Sequence, residues 1–240
     1  MIGERLAIRR VGEYPGDPMR RDQWPATLQP VRQILNEGLE LGAATVFVGE
    51  NGTGKSTIVE AIAVAFGLSA EGGSTGADLH TRRSESELWR HLSLARAPGG
   101  SHRGFFLRAE TMHGFFTYLE RNPGARPEPR FHEMSHGESF LEVVVNRFRG
   151  HGLWVLDEPE SALSFSGCLA LLGALQQLLA DGGSQVILST HSPVLARLAG
   201  ARILEVGDWG LRDSAWEDLD VVSNWKLFLD APERFLRHLN

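Results

Sequence analysis

Cysteine is nearly missing from this chain: of 240 residues one is cysteine, Cys168. That excludes an intrachain disulfide, and its place in an apolar helical run marks a small core residue, not a reactive thiol. Also missing is any apolar run near the ~20 residues needed to cross a bilayer, so no membrane insertion is expected. Met1 to Val11 holds Arg5, Arg9 and Arg10 and no sustained apolar stretch, so no secretory leader is expected and a cytoplasmic location is. Positive charge is not in excess. The formal net charge of −6 argues against broad coating of nucleic acid, although basic doublets stand at Arg9-Arg10, Arg20-Arg21 and Arg82-Arg83. Such doublets read first as solvated surface pairs. No internal repeat or low-complexity tract is present. The remainder, 42% hydrophobic and 22% charged, is ordinary for a globular protein and long enough for one large α/β domain or two small ones.

Against that plain background stands Gly49-Glu50-Asn51-Gly52-Thr53-Gly54-Lys55-Ser56, which matches the phosphate-loop pattern GxxxxGK[ST] at every fixed position. The apolar run Ala44 to Val48 ahead of it reads as a buried strand. Thr57 to Phe66 behind it has helical apolar spacing and ends at Gly67. Strand, glycine loop and helix together aim backbone N–H groups and a helix N-terminus at one point, which stabilises phosphate oxygens. Lys55 is expected to reach the β- and γ-phosphates and the Ser56 hydroxyl to ligate Mg²⁺. A chance glycine-rich turn would lack the flanking elements. The segment predicts a nucleoside triphosphate site.

Elsewhere, Arg5 to Val11 alternates and predicts an edge strand; Gly12 to Pro30 reads as a long surface loop. Val31 to Leu41 fits helix or strand. Leu88 to Arg96, the turn Pro98-Gly99-Gly100-Ser101 and Gly104 to Arg108 suggest a hairpin. Helices are expected at Met112–Arg121, Glu138–Phe148, Cys168–Leu179, 193–199 and in a tail from Glu217 to Leu239. Asn122 to Pro129 is a proline-rich breaker. Buried strands are expected at Gly152–Asp157 and Gln185–Ser189, with a last strand at Ile203–Val206. Buried strands alternating with helices predict a largely parallel sheet covered on both faces.

Four clusters extend the site. Leu153-Trp154-Val155-Leu156-Asp157-Glu158 is an apolar strand delivering carboxylates at its C-terminal end, where a parallel sheet places ligand groups. Asp157 is expected to hold Mg²⁺, directly or through water, and Glu158 to orient or deprotonate the attacking water. Ser135-His136-Gly137-Glu138 opens a helix with a capping residue, a second anion-receptive end. Ser161-Ala162-Leu163-Ser164 follows the acidic strand. Ser189-Thr190-His191-Ser192-Pro193 ends the next one, where a histidine can hydrogen-bond the γ-phosphate.

In this order the set resembles the ABC-type ATPases over most of the chain, including small bacterial AAA/ABC-type ATPases akin to the heads of SMC-like and overcoming-lysogenization-defect-like proteins. The resemblance implies an α/β P-loop NTPase of ABC-ATPase type. Its central sheet would be mostly parallel and flanked by helices, with a small antiparallel β subdomain and a reduced helical subdomain. It implies one domain over 1–240, with the helical and signature segment near 111–150 and a helical tail near 216–240. Gly49–Thr57 would be Walker A, Leu153–Asp157 Walker B, Glu158 the catalytic glutamate, Ser135–Glu138 the signature, Ser161–Ser164 the D-loop and His191 the switch histidine. It further implies a head-to-tail homodimer in which Ser135 and Gly137 of one subunit close over Mg-ATP held by the other.

Two departures mark the chain. The signature reads Ser-His-Gly-Glu instead of LSGGQ, and a Q-loop glutamine is missing; Glu110 is the best-placed residue to ligate Mg²⁺ or its water there, or else a surface acid. No adenine-stacking aromatic stands out beyond Tyr14 and Trp24. The interval from Glu110 to Ser135, broken by Pro123, Pro127 and Pro129, is short for a transporter docking subdomain, and Lys55 to Ser135 shows no coiled-coil heptads. The resulting expectation is an ATP-hydrolysing, ATP-dimerising domain in which Lys55, Glu158 and His191 carry the chemistry. Its role would be a stand-alone nucleic-acid-linked ATPase in repair or defence; a switch that recruits a protein and, less favoured, a transporter motor remain as alternatives.

Overall fold

The computed structural model describes residues 6–70, 72–74, 86–111 and 135–237. Among them the strands are β1 (Arg10–Glu13), β2 (Leu39–Glu40), β3 (Ala44–Val48), β4 (Gly73–Ser74), β5 (Leu92–Ala95), β6 (Gly104–Arg108), β7 (Gly152–Asp157), β8 (Ser184–Thr190), β9 (Arg202–Gly207) and β10 (Gly210–Asp213). The helices are α1 (Gln29–Glu37), α2 (Lys55–Phe66), α3 (His136–Arg147), α4 (Phe165–Ala180), α5 (Asp220–Asp230) and α6 (Glu233–Leu236), joined by short 3-10 turns.

Seven strands form the main sheet in the order β10-β9-β3-β8-β7-β6-β4, parallel from β9 through β6 with an antiparallel strand at each edge. All residues of β3, β7 and β8 are buried, which is why their centres, such as Leu153–Leu156 and Val186–Leu188, read as apolar runs and not as alternating ones. Alternate side chains feed two cores. Phe47, Leu153, Val155 and Ile187 pack with Ile58, Ile62 and Phe66 of α2; Val46, Val48, Trp154, Leu156 and Leu188 pack with Phe140 and Val144 of α3 and Leu171 and Leu175 of α4. A separate antiparallel sheet, β2-β1-β5, lies on the α2 side, where its Val11 and Leu39 join that core. The Gln185 side chain ties the N-terminal segment to the main sheet, accepting from Ile8 N at 2.9 Å and donating to Ile8 O at 2.7 Å.

Register sets the chemistry. Val48 stands beside Thr190, Asp157 beside Ser189, and Arg108 beside Asp157, so the C-terminal ends of β3, β8, β7 and β6 form one line.

The hairpin expected from Leu88 to Arg108 does not form. Leu88 to His91 is a 3-10 turn, β5 pairs antiparallel with β1, and β6 lies parallel to β7 in the other sheet. The reason is visible in burial: β5 alternates and is half-exposed, whereas Gly104 to Leu107 are all buried and belong inside a sheet. The first strand lies at Arg10–Glu13, later than the expected Arg5–Val11. The ambiguous Val31–Leu41 run splits into α1 and β2 at Gly38, and β9 is followed by one more strand, β10. In the C-terminal helices Val222 is buried, but Trp225, Leu227, Phe228, Leu229, Phe235 and Leu236 are exposed, so those six do not pack onto the sheet. The expected helix Met112–Arg121 and the breaker Asn122–Pro129 lie outside the described residues.

Candidate functional site

The glycine loop runs from β3 to α2 as its sequence requires. Gly54, the N-cap of α2, has φ 97°, a left-handed conformation that admits glycine at little cost, and no side chain caps the helix. A Cβ on Gly49 would meet the Val206 carbonyl oxygen at 2.3 Å, so any larger residue would part the loop from β9. The Thr53 hydroxyl donates to the Glu50 carbonyl at 2.9 Å, and Lys55 Nζ to the same oxygen at 2.7 Å. Lys55 is 2% exposed, and its second neighbour is Glu158 Oε1 at 3.5 Å. A buried ammonium needs such partners.

Glu158 has φ 46° and ψ 52° and, among the described residues, is the non-glycine residue with positive φ. Such a conformation costs about 1–3 kcal/mol and persists where neighbours over-determine it. Here its N–H donates to the Ser189 carbonyl at 3.1 Å, and its own carbonyl accepts from Ser161 N at 3.1 Å and Ser161 Oγ at 2.8 Å. Gly52, Gly54, Lys55, Ser56, Thr57 and Glu158 line one cavity of about 260 Å³ together with Trp24 and Leu28. Trp24 is exposed and available for stacking; Tyr14 lines neither this cavity nor the next.

Asp157 is 4% exposed and accepts a very short hydrogen bond from Ser189 Oγ, with Arg108 Nε 3.4 Å from its other oxygen. Arg108 also donates to Glu60 Oε2 of α2 at 2.6 Å and lies 3.7 Å from Glu110. Glu110 itself is largely exposed. The Ser56 hydroxyl in the loop and the Asp157 carboxylate at the end of β7 are hard oxygens of the kind Mg²⁺ takes. Among the described residues no group of three His, Cys, Asp or Glu forms a metal cage.

His191 borders a second cavity of about 670 Å³ that also touches Gly49, Glu50, Thr53, Trp209 and Trp225. Its backbone N–H donates to Glu160 Oε1 at 2.6 Å, and Thr190 Oγ1 donates to the same oxygen at 2.7 Å. Ser135 N-caps α3 in a full capping box: Glu138 N donates to Ser135 Oγ at 3.3 Å, and Ser135 N to Glu138 Oε2 at 2.9 Å. The hydroxyl and backbone bonds from Ser135 hold the Glu138 carboxyl below the usual range. Ser135 and Gly137 line neither cavity; a Cβ on Gly137 would meet the Ala162 carbonyl at 3.2 Å, which sets the start of α3 against the segment after Glu158.

Gly52 and Gly54–Thr57 thus share one cavity with Glu158, and Gly49, Glu50 and Thr53 share the other with His191; Asp157, Ser135 and Gly137 line neither, and Glu110 lies beside the Arg108 that borders Asp157. Sequence reasoning passed over Arg108 and Glu160. Their only sequence signal is position, a charge at the end of an apolar strand and an acid directly after Glu158-Pro159.

Comparison with known proteins gives a match to the AAA domain family over residues 27–95. No curated protein matches. Among solved structures the chain is similar to an inward-facing metal-chelate type ABC transporter, at 15% identity over 94% of this chain and 90% of that one, TM-score 0.48. It is also similar to the SMC head domain from Thermotoga maritima, at 15% identity over 74% and 93%, TM-score 0.42. A third is a dimeric ATP-binding cassette bound to ADP and Pi, at 18% identity over 75% and 88%, TM-score 0.41.

Proposed function

With an ABC-type P-loop fold as the premise, we propose that the chain acts as one ATPase domain that binds ATP with Mg²⁺ and hydrolyses it. The observation that carries this is the buried Lys55 at the uncapped start of α2, 3.5 Å from the carboxylate of a backbone-strained Glu158. Bound to the loop, the triphosphate replaces the Glu50 carbonyl as the ammonium's partner, and the first-turn N–H groups of α2 take phosphate oxygens. Trp24 offers a stacking surface for the base. Ser56 and Asp157 would hold the metal, which when bound would neutralise charge on the phosphates. Glu158, freed from Lys55, orients and deprotonates water, and His191 stabilises charge on the transferred phosphoryl. Glu110, exposed at the end of the β6 segment, would ligate the metal or one of its waters.

The test is Glu158→Gln. It should bind ATP yet turn over at least ~100-fold more slowly, the scale of general-base loss. Turnover near the unaltered rate would remove Glu158 from the role.

In the same reading the start of α3, with Ser135 exposed and Gly137 set against the segment after Glu158, would meet the nucleotide of the partner subunit in a head-to-tail homodimer. For the biological role we favour a nucleic-acid-linked ATPase, tested by whether DNA raises the ATPase rate in a salt-sensitive way. A rate indifferent to DNA would move the role to a protein-recruiting switch. Surface charge gives the DNA reading little help: Arg10 pairs with Glu40, Arg20 with Asp22 and Arg21 with Glu13, and Arg82-Arg83 lie outside the described residues.

A further inference from the structure

Glu160 and Glu158 flank Pro159 and have different surroundings. Glu158 lines the loop cavity, whereas the Glu160 side chain is 8% exposed and meets the end of β8. There its Oε1 takes the two short bonds from Thr190 Oγ1 and His191 N, and stands 3.2 Å from His191 Nδ1. Two buried polar atoms in this contact have no hydrogen-bond partner, Glu160 Oε2 and His191 Nδ1. The carboxylate oxygen that faces Nδ1 is Oε1, and it is the acceptor that a proton on Nδ1 would use. An unprotonated Nδ1 would set its lone pair against a carboxylate in a desolvated place; a protonated Nδ1 meets an acceptor. The remaining ring nitrogen, Nε2, is then the one left for the cavity that His191 shares with Gly49, Glu50 and Thr53.

We propose that Glu160 is a positioning residue for His191. By accepting the Nδ1 proton it fixes the tautomer and the ring orientation, so that Nε2 faces the nucleotide. By gripping Thr190 and the His191 backbone it also couples the segment after Glu158 to the histidine, and the two arms of the site keep one geometry. The role is that of the third group that orients a reacting histidine. It rests on the reading that His191 meets the terminal phosphate.

The experiment uses the full chain with ¹⁵N-labelled histidine. The chain has nine histidines, so His191→Ala identifies the His191 ring signals by subtraction. The expected result is that neutral His191 carries its proton on Nδ1; a proton on Nε2 overturns the proposal. Glu160→Ala should mix the tautomers and lower kcat by roughly 10–100-fold, with KM changed by less than about twofold. Full kcat in that variant overturns the proposal as well. Glu160→Gln keeps an acceptor for Thr190, the backbone N–H and Nδ1, and should recover most of the loss. Should Glu160→Ala fail to fold, the unaltered chain's tautomer and the Gln variant decide the matter. Full turnover in His191→Ala would instead overturn the phosphate role of His191, while the tautomer of the unaltered chain would still judge the pair.

Discussion

The helices α2 and α3 have 12 residues each and begin in opposite ways. At α2 the N-cap is a left-handed glycine with no side chain to give, and the first-turn N–H groups are left to a ligand. At α3 the cap is complete within the chain, with Ser135 and Glu138 satisfying each other's backbone donors. In the proposed reading one helix start is finished by an anion. The other has its Ser135 and Glu138 donors satisfied within the chain, so a phosphate that reaches it must share the Ser135 hydroxyl with Glu138. This difference suits a site that binds first at the glycine loop and recruits the capped helix second.

The contrast can be broken by experiment. Ser135→Arg should abolish ATP-driven dimerisation of Glu158→Gln protein, read by light scattering, while the monomer still binds ATP. Lost binding in the monomer would put Ser135 in its own chain's site and erase the distinction. Gly54→Ala places a Cβ at φ 97° and 3.2 Å from Leu28 Cδ1, so the free protein should lose about 1–2 kcal/mol and ATP should raise its melting temperature less. An undiminished ATP increment would mean that the start of α2 does not hold the phosphates. Ser135→Ala should cost about 1 kcal/mol in denaturant unfolding, the usual worth of an N-cap, and leave ATP binding by the monomer unchanged. A smaller effect is set by pH. The Glu138 carboxyl is held below its ordinary value, so its contribution is complete above the usual carboxylate range and fades as pH falls through the lowered value. Amide exchange should then loosen the first turn of α3 in acid; protection unchanged across that range would show that the carboxylate does not secure it.

The parts of the site legible in the sequence were those encoded by neighbours along the chain. Ala44–Val48 and Gly152–Asp157 read as buried strands because every residue in them is covered, and Lys55–Phe66 is bracketed by Gly54 and Gly67. What escaped depends on pairing between distant segments. Leu92–Ala95 and Gly104–Arg108 are close in sequence and carry turn residues between them, yet they enter different sheets. Nothing local says that Arg108 will stand beside Asp157, or that Glu160 will find Thr190 and His191, because those contacts come from the order of β6, β7 and β8. The apolar residues of α5 and α6 gave a correct helix pattern, but periodicity alone does not say whether the sheet covers them.

The line of strand ends has a consequence for how the chain tolerates change in length. A strand advances about 3.3 Å per residue and reverses its faces with each step. Deleting one residue from β7 would draw Asp157 back by that distance and turn it to the opposite face; the same deletion in β8 would do so to Ser189, and in β6 to Arg108. Insertions and deletions within these strands are therefore all-or-none for the chemistry, however conservative the residues involved. In the loop between Glu13 and Gln29 the same edit shifts no strand end. The sheet acts as a ruler: a change of length inside these strands moves the chemistry, and one in that loop leaves the strand ends in place.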